Sequence, residues 1–191
     1  VGFLQREGYK KPTAFILYRY RPENFMGFLE LRPHISYRGY WNFDNVHETG
    51  HLHIDNHWEW KNGYEFHSAI NFTHEQVISE FEIYDGIFIR VGTYDHKEAQ
   101  LVFNTNQGEW WSTGIRSFIG GIFGGTKVNT APWFSFRLGE TFTTMFELSR
   151  NDIELPVGDF TANLFQARLS YSFTPRIFVQ SLFQVSDKDD I

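Results

Sequence analysis

The feature that most constrains the fold is a pair of alternating segments between His51 and Phe72 that meet at residues 61–63. Before this junction the apolar residues are Leu52, Ile54, Trp58 and Trp60, and the polar residues are His51, His53, Asp55, His57 and Glu59. After it, Tyr64, Phe66, Ile70 and Phe72 alternate with Glu65, His67 and Asn71. Because successive side chains of a strand point to opposite faces, this period of two predicts a β-hairpin and not a helix.

The junction also predicts how the two arms pair. A three-residue loop with Gly63 in the left-handed conformation places Trp60 opposite Tyr64, and His57 opposite His67. This register keeps the apolar side chains on one face and the polar side chains on the other. Each arm has about the ten residues that a tilted strand needs to cross a membrane.

Composition favours a membrane β-barrel. Aromatic residues make up 19% of the chain, yet its mean hydropathy is −0.38. The sequence contains no uncharged apolar run near the roughly 18 residues that a membrane helix needs. A barrel combines the two properties because half of each strand faces water. On composition alone, an aromatic-rich soluble β domain stays open.

Charge and cysteine content exclude several classes of function. The net charge is −6 without a basic tract, which argues against a nucleic-acid partner. The absence of cysteine excludes disulfides, thiolate zinc sites and cysteine nucleophiles. The chain opens at Val1 with no signal-peptide pattern, so we expect that a signal peptide was removed or lies upstream.

Turn signals divide the chain into about ten strands. The predicted strands are residues 14–21, 25–40, 50–60, 64–72, 98–104, 110–119, 126–137, 141–150, 161–172 and 177–186. Short connections alternate with longer ones, which include residues 73–97, 120–125 and 151–160. Outer-membrane barrels show this asymmetry, with the short turns in the periplasm.

Aromatic residues gather beside the predicted short turns. The candidate interface residues are Trp58, Trp60, Tyr64, Trp110, Trp111 and Tyr171. Amphipathic aromatic side chains, which have one apolar end and one end in contact with water, favour the membrane–water interface. This set therefore predicts an aromatic girdle on the periplasmic side. The alternative is that the rings pack a soluble core.

The polar rows predict a lumen wall, because a charge such as Arg168 is costly on the lipid face. The candidate lumen residues are His51, His53, Asp55, His57, Glu59, Glu65, His67 and Arg168. Alternate strand residues lie about 6.6 Å apart, so His51 with His53, or His57 with His67, could share Zn²⁺ or Cu²⁺. Without a recognised zinc motif, a hydrated wall is the favoured interpretation, and we predict no metal and no cofactor.

Catalytic constellations are weak in this sequence. Ser36 and His34 share a face, but a third orienting group is not evident. Glycoside hydrolysis needs a pair of carboxylates, and any polar barrel lumen contains such pairs, so they are not specific evidence. The candidates in this chain are Glu30, Glu59, Glu65 and Glu147. We therefore assign no catalytic residue.

Three stretches near the C-terminus carry a family resemblance. Residues 149–156, 158–164 and 168–176 read SRNDIELP, GDFTANL and RLSYSFTPR. They resemble the large bacterial outer-membrane proteins with an N-terminal module like carbohydrate-binding family nine and a C-terminal barrel (domain of unknown function 5916). Gly2, Phe3 and Arg6, with their spacing to residues 15–21, are similar to the start of a barrel section in that family.

The resemblance implies a barrel but transfers no catalytic residue. The carbohydrate-binding-like module is not in this sequence, so the resemblance assigns no sugar recognition here. Members of the family continue into a further strand pair where this chain ends. We therefore expect residues 1–191 to be a barrel section with open edges.

Together these patterns predict an antiparallel transmembrane β-barrel, or a section of one, with about ten strands in an up-and-down meander in a bacterial outer membrane. The expected partners are the lipid bilayer and, beyond it, glycans or other envelope proteins. The favoured function is a non-catalytic role as a pore, a transport component or a surface-assembly component. The alternatives are a soluble carbohydrate-binding β-sheet module and a barrel-embedded hydrolase.

Overall fold

The computed structural model describes residues 8–187, and this part of the chain is built from β-strands and turns. It contains no helix that is long and apolar enough to cross a membrane. The strands are β1 (Tyr9–Lys10), β2 (Thr13–Leu17), β3 (Phe28–Asn42), β4 (His47–Trp60), β5 (Glu65–Val77), β6 (Phe81–Tyr84), β7 (Ile87–Ile89), β8 (Gly92–Asn104), β9 (Trp111–Ile122), β10 (Gly125–Leu138), β11 (Phe142–Leu155), β12 (Gly158–Thr174) and β13 (Ile177–Ser186).

The strands form one antiparallel up-and-down sheet, which confirms the predicted all-β meander. Its order is β1-β3-β4-β5-β8-β9-β10-β11-β12-β13, while β6 and β7 form a separate hairpin. Both β1 and β2 pair with β3, so they are two segments of one edge strand and the sheet has the predicted ten strand positions. Within residues 8–187 no pairing joins β13 to this edge, and the sheet is open there. Gly2, Phe3 and Arg6 lie outside the described residues.

The hairpin between β4 and β5 has the predicted register. His57 lies opposite His67, and Trp58 lies opposite Phe66. The Trp60 amide donates to the Tyr64 carbonyl oxygen at 2.9 Å, and Gly63 has a φ of +82°. The left-handed glycine therefore closes the loop as the sequence predicted.

The predicted long loops at residues 120–125 and 151–160 are wrong. Only Phe123 and Gly124 separate β9 from β10, and only Pro156 and Val157 separate β11 from β12. Both Phe123 and Gly124 have positive φ, 44° and 82°, as a two-residue hairpin turn requires. The sequence of residues 120–125, GGIFGG, did not indicate a two-residue turn because phenylalanine is an unusual residue for a positive φ. The expected asymmetry of loop lengths is accordingly absent from the described residues.

Most strands of the sheet are longer than the sequence predicted. The strands from β3 to β12, apart from β6 and β7, contain 12 to 17 residues. About ten residues suffice to cross a membrane at the usual tilt. β9 continues to Ile122 where the predicted strand ended at residue 119, and β11 continues to Leu155 where it ended at residue 150, so both are longer than predicted at the end opposite to the short turn at residues 61–63. The assignment of that short-turn end to the periplasm stays a prediction.

The β6–β7 hairpin, in a segment predicted as loop, packs against the polar face of the sheet. Ile89 is 2% exposed and clusters with Val77 of β5 and Leu155 of β11. On a flat sheet, β5 and β11 would lie four strand spacings apart, about 19 Å. A small hairpin reaches both residues only because the sheet curls, which makes the polar face concave.

Gly120 shows the same curvature in the backbone. It lies in β9 on the concave face, opposite Glu98 of β8. A Cβ atom at Gly120 would lie 2.2 Å from the Lys97 carbonyl oxygen and 2.5 Å from the Glu98 Cα. Only a residue without a side chain allows this close approach, so Gly120 lets the sheet bend toward its polar face.

Candidate functional site

All eight predicted lumen residues lie on the concave face. Residues directly opposite each other on neighbouring strands share a face. The pair Glu59 and Glu65 joins β4 to β5, and the pair Glu147 and Gln166 joins β11 to β12. Following such pairs across the sheet places Arg168 on the same face as the histidines of β4.

Asp55 is the centre of the histidine cluster on this face. Its side chain is only 1% exposed. The His57 Nε2 atom lies 2.9 Å from Asp55 Oδ2, and His53 Nε2 lies 3.5 Å from the same oxygen. The His57 and His67 rings stack with their centroids 3.6 Å apart and their planes at 6°. The hairpin register thus brings together His57 and His67, one of the two histidine pairs that the sequence named as metal candidates. In the other pair, the His51 and His53 ring centroids lie 6.2 Å apart, and His51 does not contribute a ligand atom to either group around Asp55.

A series of polar contacts that begins with Asn71 of β5 orients the His53 side chain. The His53 Nδ1 atom lies 2.6 Å from Asn71 Oδ1, and the Asn71 amide donates to Glu98 Oε1 at 3.0 Å. Glu98 in turn pairs with Lys127 Nζ at 2.5 Å. Because the Asn71 nitrogen faces Glu98, its oxygen faces His53, which places a proton on His53 Nδ1. Sequence reasoning placed Asn71 on the polar face but did not identify this connection.

A second cluster of charges lies toward the short turn at residues 61–63. The Glu30 carboxylate, with its side chain 5% exposed, pairs with Arg19 at 3.1 Å and with Arg21 at 2.5 Å. Arg32 approaches Glu59 at 3.4 Å and Glu65 at 4.0 Å. These contacts place the Arg19 and Arg21 side chains on the concave face.

A cavity of about 330 Å³ lies on the concave face of β8 to β11. Its lining includes Trp133, Arg116 and Glu147. Arg116 pairs with Glu147 at 3.4 Å, and the Trp133 indole donates to Asn104 Oδ1 at 3.3 Å. Its polar walls are suited to hold water and small hydrophilic solutes.

The opposite, outward face carries an exposed apolar band. Within residues 8–187 no large side chain is completely buried, and the small cluster around Ile89 is the one described core. The band follows the outward side of the successive strands and includes Ile35, Ile54, Ile70, Leu101, Ile115, Ile119, Phe134, Phe146, Leu148, Phe165 and Leu169, which are 37% to 53% exposed. In β12 it runs from Phe165 to Phe173, about 27 Å along the strand.

Aromatic rings border this band at the short-turn end. Trp58 and Trp60 pack around Phe28, with ring centroids 5.7 and 4.8 Å away. The other predicted interface residues, Tyr64, Trp110, Trp111 and Tyr171, are also at this end, and each contacts a further aromatic ring. The structure thus places the six predicted interface residues in a row of rings beside the apolar band, and their role as a membrane girdle stays a prediction.

Charged groups on the outward face begin beyond the other edge of the band. In β11 the last apolar outward residue is Leu148, and Arg150 and Asp152 follow it. The Arg150 guanidinium hydrogen bonds to Asp152 at 2.8 Å and, with the Thr161 hydroxyl, lowers the pKa of that carboxyl. Asp152 is therefore charged at neutral pH, and this ion pair marks where the apolar surface ends.

The candidates for hydrolytic chemistry do not form a triad. The His34 Nδ1 atom lies 3.2 Å from the Arg32 backbone oxygen. Ser36 lies opposite His53 in the neighbouring strand. Among the described residues no hydrogen bond joins Ser36 to His34, and the carboxylates Glu30, Glu59 and Glu65 are engaged with Arg32.

A scan against protein-family models found no matching family, and searches of curated proteins and of solved structures found no match either. The resemblance to the outer-membrane barrel family therefore stays a prediction.

Proposed function

We propose that this chain forms a wall section of a bacterial outer-membrane β-barrel whose concave face lines a hydrated lumen. The observation that carries the proposal is the continuous exposed apolar band on the outward side of the sheet. A soluble protein would leave this area in water, since large contiguous apolar patches are rare on soluble monomers. In a bilayer the same surface faces hydrocarbon.

The polar concave face supports a non-catalytic role in the passage of hydrophilic solutes. Its histidines, carboxylates and arginines contact one another across the strands, as in the pairs of Arg32 with Glu59 and of Arg116 with Glu147. The β6–β7 hairpin covers the concave face at the end opposite to the aromatic row and narrows the lumen there. In lipid, the two outer strands must pair as well, because unpaired backbone groups cost several kcal/mol each.

We expect the purified chain to be monodisperse in detergent and to aggregate when the detergent is removed. With liposomes, the chain should float with the lipid after an alkaline carbonate wash, because an apolar band in the bilayer resists extraction. Size-exclusion chromatography and flotation measure the two effects. A chain that is monodisperse in plain buffer would contradict membrane insertion and favour the soluble carbohydrate-binding module.

A further inference from the structure

Asp55 is a buried carboxylate without a permanent cation beside it. Its Oδ1 atom is buried and has no hydrogen-bond partner, while its Oδ2 atom faces His57 and His53. Within residues 8–187 no lysine or arginine forms an ion pair with Asp55. A buried carboxylate is stable only when a positive charge or several donors compensate it. A donor on a neighbouring imidazole, a single imidazolium ion or a bound cation can supply this compensation.

Simultaneous protonation of His57 and His67 is a poor solution in this geometry. The His57 and His67 rings are parallel and 3.6 Å apart, so two imidazolium ions would repel each other strongly. The His67 Nε2 atom is buried and makes no hydrogen bond, and the Glu65 carboxylate oxygen lies 3.8 Å from it, beyond hydrogen-bond distance. A cation placed between Asp55, His57 and His67 contacts the Asp55 carboxylate and an imidazole nitrogen of each histidine at the same time.

We propose that Asp55, His57 and His67 bind one divalent transition-metal ion of the Zn²⁺ class. One ligand atom from each residue lies within 4.8 Å of the other two. Tetrahedral Zn²⁺ with bonds near 2.0 Å places its ligand atoms about 3.3 Å apart, close to the 2.9 Å between His57 and Asp55. The parallel His57 and His67 rings must tilt toward each other for both nitrogens to point at one ion. Two imidazoles and one carboxylate leave the fourth position to water or a solute from the concave side.

The chemistry of the donors selects the class of metal. Nitrogen ligands favour Zn²⁺, Cu²⁺ and Ni²⁺ over Ca²⁺ and Mg²⁺, which prefer all-oxygen sites. Arg32 is near this group, but Glu59 at 3.4 Å and Glu65 at 4.0 Å balance its charge. The site departs from the expectation of a metal-free wall, and it does not depend on whether the chain enters a bilayer.

A second group of potential ligands shares Asp55. His34, His53 and Asp55 also have ligand atoms within 4.8 Å of one another. In that group the Nδ1 atoms of His34 and His53 already contact the Arg32 carbonyl oxygen and Asn71 Oδ1, whereas His67 Nε2, in the group with His57, makes no hydrogen bond. We therefore assign the ion to His57 and His67, with His53, held by Asn71, beside the site.

Calorimetric titration of the 191-residue chain in detergent with Zn²⁺ tests the site, and the visible spectrum with Co²⁺ tests its geometry. We expect one Zn²⁺ per chain and an intense tetrahedral Co²⁺ band. His67→Gln and Asp55→Asn should each weaken Zn²⁺ binding by at least about 100-fold, because each removes one of three protein ligands. His51→Gln is the matched control, since His51 lies on the same strand and face but outside both groups.

Three results would overturn the proposal. The first is a wild-type chain that takes up no stoichiometric Zn²⁺, a result that does not depend on how any variant folds. The second is a His67→Gln chain that has the wild-type circular dichroism spectrum and binds Zn²⁺ as tightly as the wild type. The third is loss of binding in His34→Gln together with retained binding in His67→Gln, which would place the ion in the other group.

Discussion

Leu169→Arg should prevent stable insertion of the chain or lower its free energy of unfolding in bilayers by about 2–4 kcal/mol. Leu169 lies on the outward face of β12, in the middle of the apolar stretch from Phe165 to Phe173, and is 41% exposed. An arginine there would place a charge near the centre of the hydrocarbon layer. Urea unfolding in liposomes, followed by tryptophan fluorescence, measures the change.

The control for this substitution is the next residue in the chain. Ser170 lies on the concave face, opposite Thr143 and Gln180, so an arginine at this position would reach water. Ser170→Arg should change the free energy of unfolding by no more than about 0.5 kcal/mol. Equal effects of the two arginines would contradict the assignment of lipid and lumen faces.

Gly120→Ala should destabilise the sheet by about 1–3 kcal/mol, the usual cost of overpacking, or more if the strands cannot separate. The added Cβ would meet backbone atoms, the Lys97 oxygen at 2.2 Å and the Glu98 Cα at 2.5 Å, which cannot rotate away as a side chain can. Separation of β8 from β9 would also disturb the ion pair of Glu98 with Lys127, which bridges β9 at this position. The midpoint of urea unfolding in detergent measures the loss.

Gly121→Ala is the matched control for Gly120→Ala. The nearest atoms to a Cβ at Gly121 are 3.7 Å away, which is ordinary van der Waals contact. Loss of backbone freedom in the unfolded chain should make this substitution neutral or stabilising by up to about 1 kcal/mol. If both alanines lower the midpoint equally, the close approach at Gly120 does not determine the curvature of the sheet.

The strands could be predicted from the sequence because their signal is local. Alternation of apolar and polar residues depends only on neighbours two positions apart, and Gly63 fixed the register that places His57 opposite His67. The strand ends were harder to predict. The tight turn at Phe123 requires a positive φ, which is unusual for phenylalanine. The packing of its ring against Tyr94 and His96 explains this conformation, and that contact has no local pattern in the sequence.

The candidate site depends on contacts between strands that are distant in sequence. The sequence placed Asp55 on the polar face, but its burial depends on the neighbouring strands and on the curvature of the sheet. The approach of Glu98 to Asn71 requires β5 to pair with β8 after the chain passes through the β6–β7 hairpin. Such contacts have no local pattern, which is why the sequence favoured a plain hydrated wall over a metal site.

The most direct test of the central claim is lipid quenching at two neighbouring positions in β8. The chain has no cysteine, so Leu101→Cys and Gln100→Cys each introduce a single site for a fluorophore. Leu101 lies on the outward face and Gln100 on the concave face. We expect brominated lipid chains to quench the label only at position 101, and aqueous iodide to quench it mainly at position 100. Strong iodide quenching at both positions, without quenching by brominated lipid, would contradict a membrane-embedded sheet.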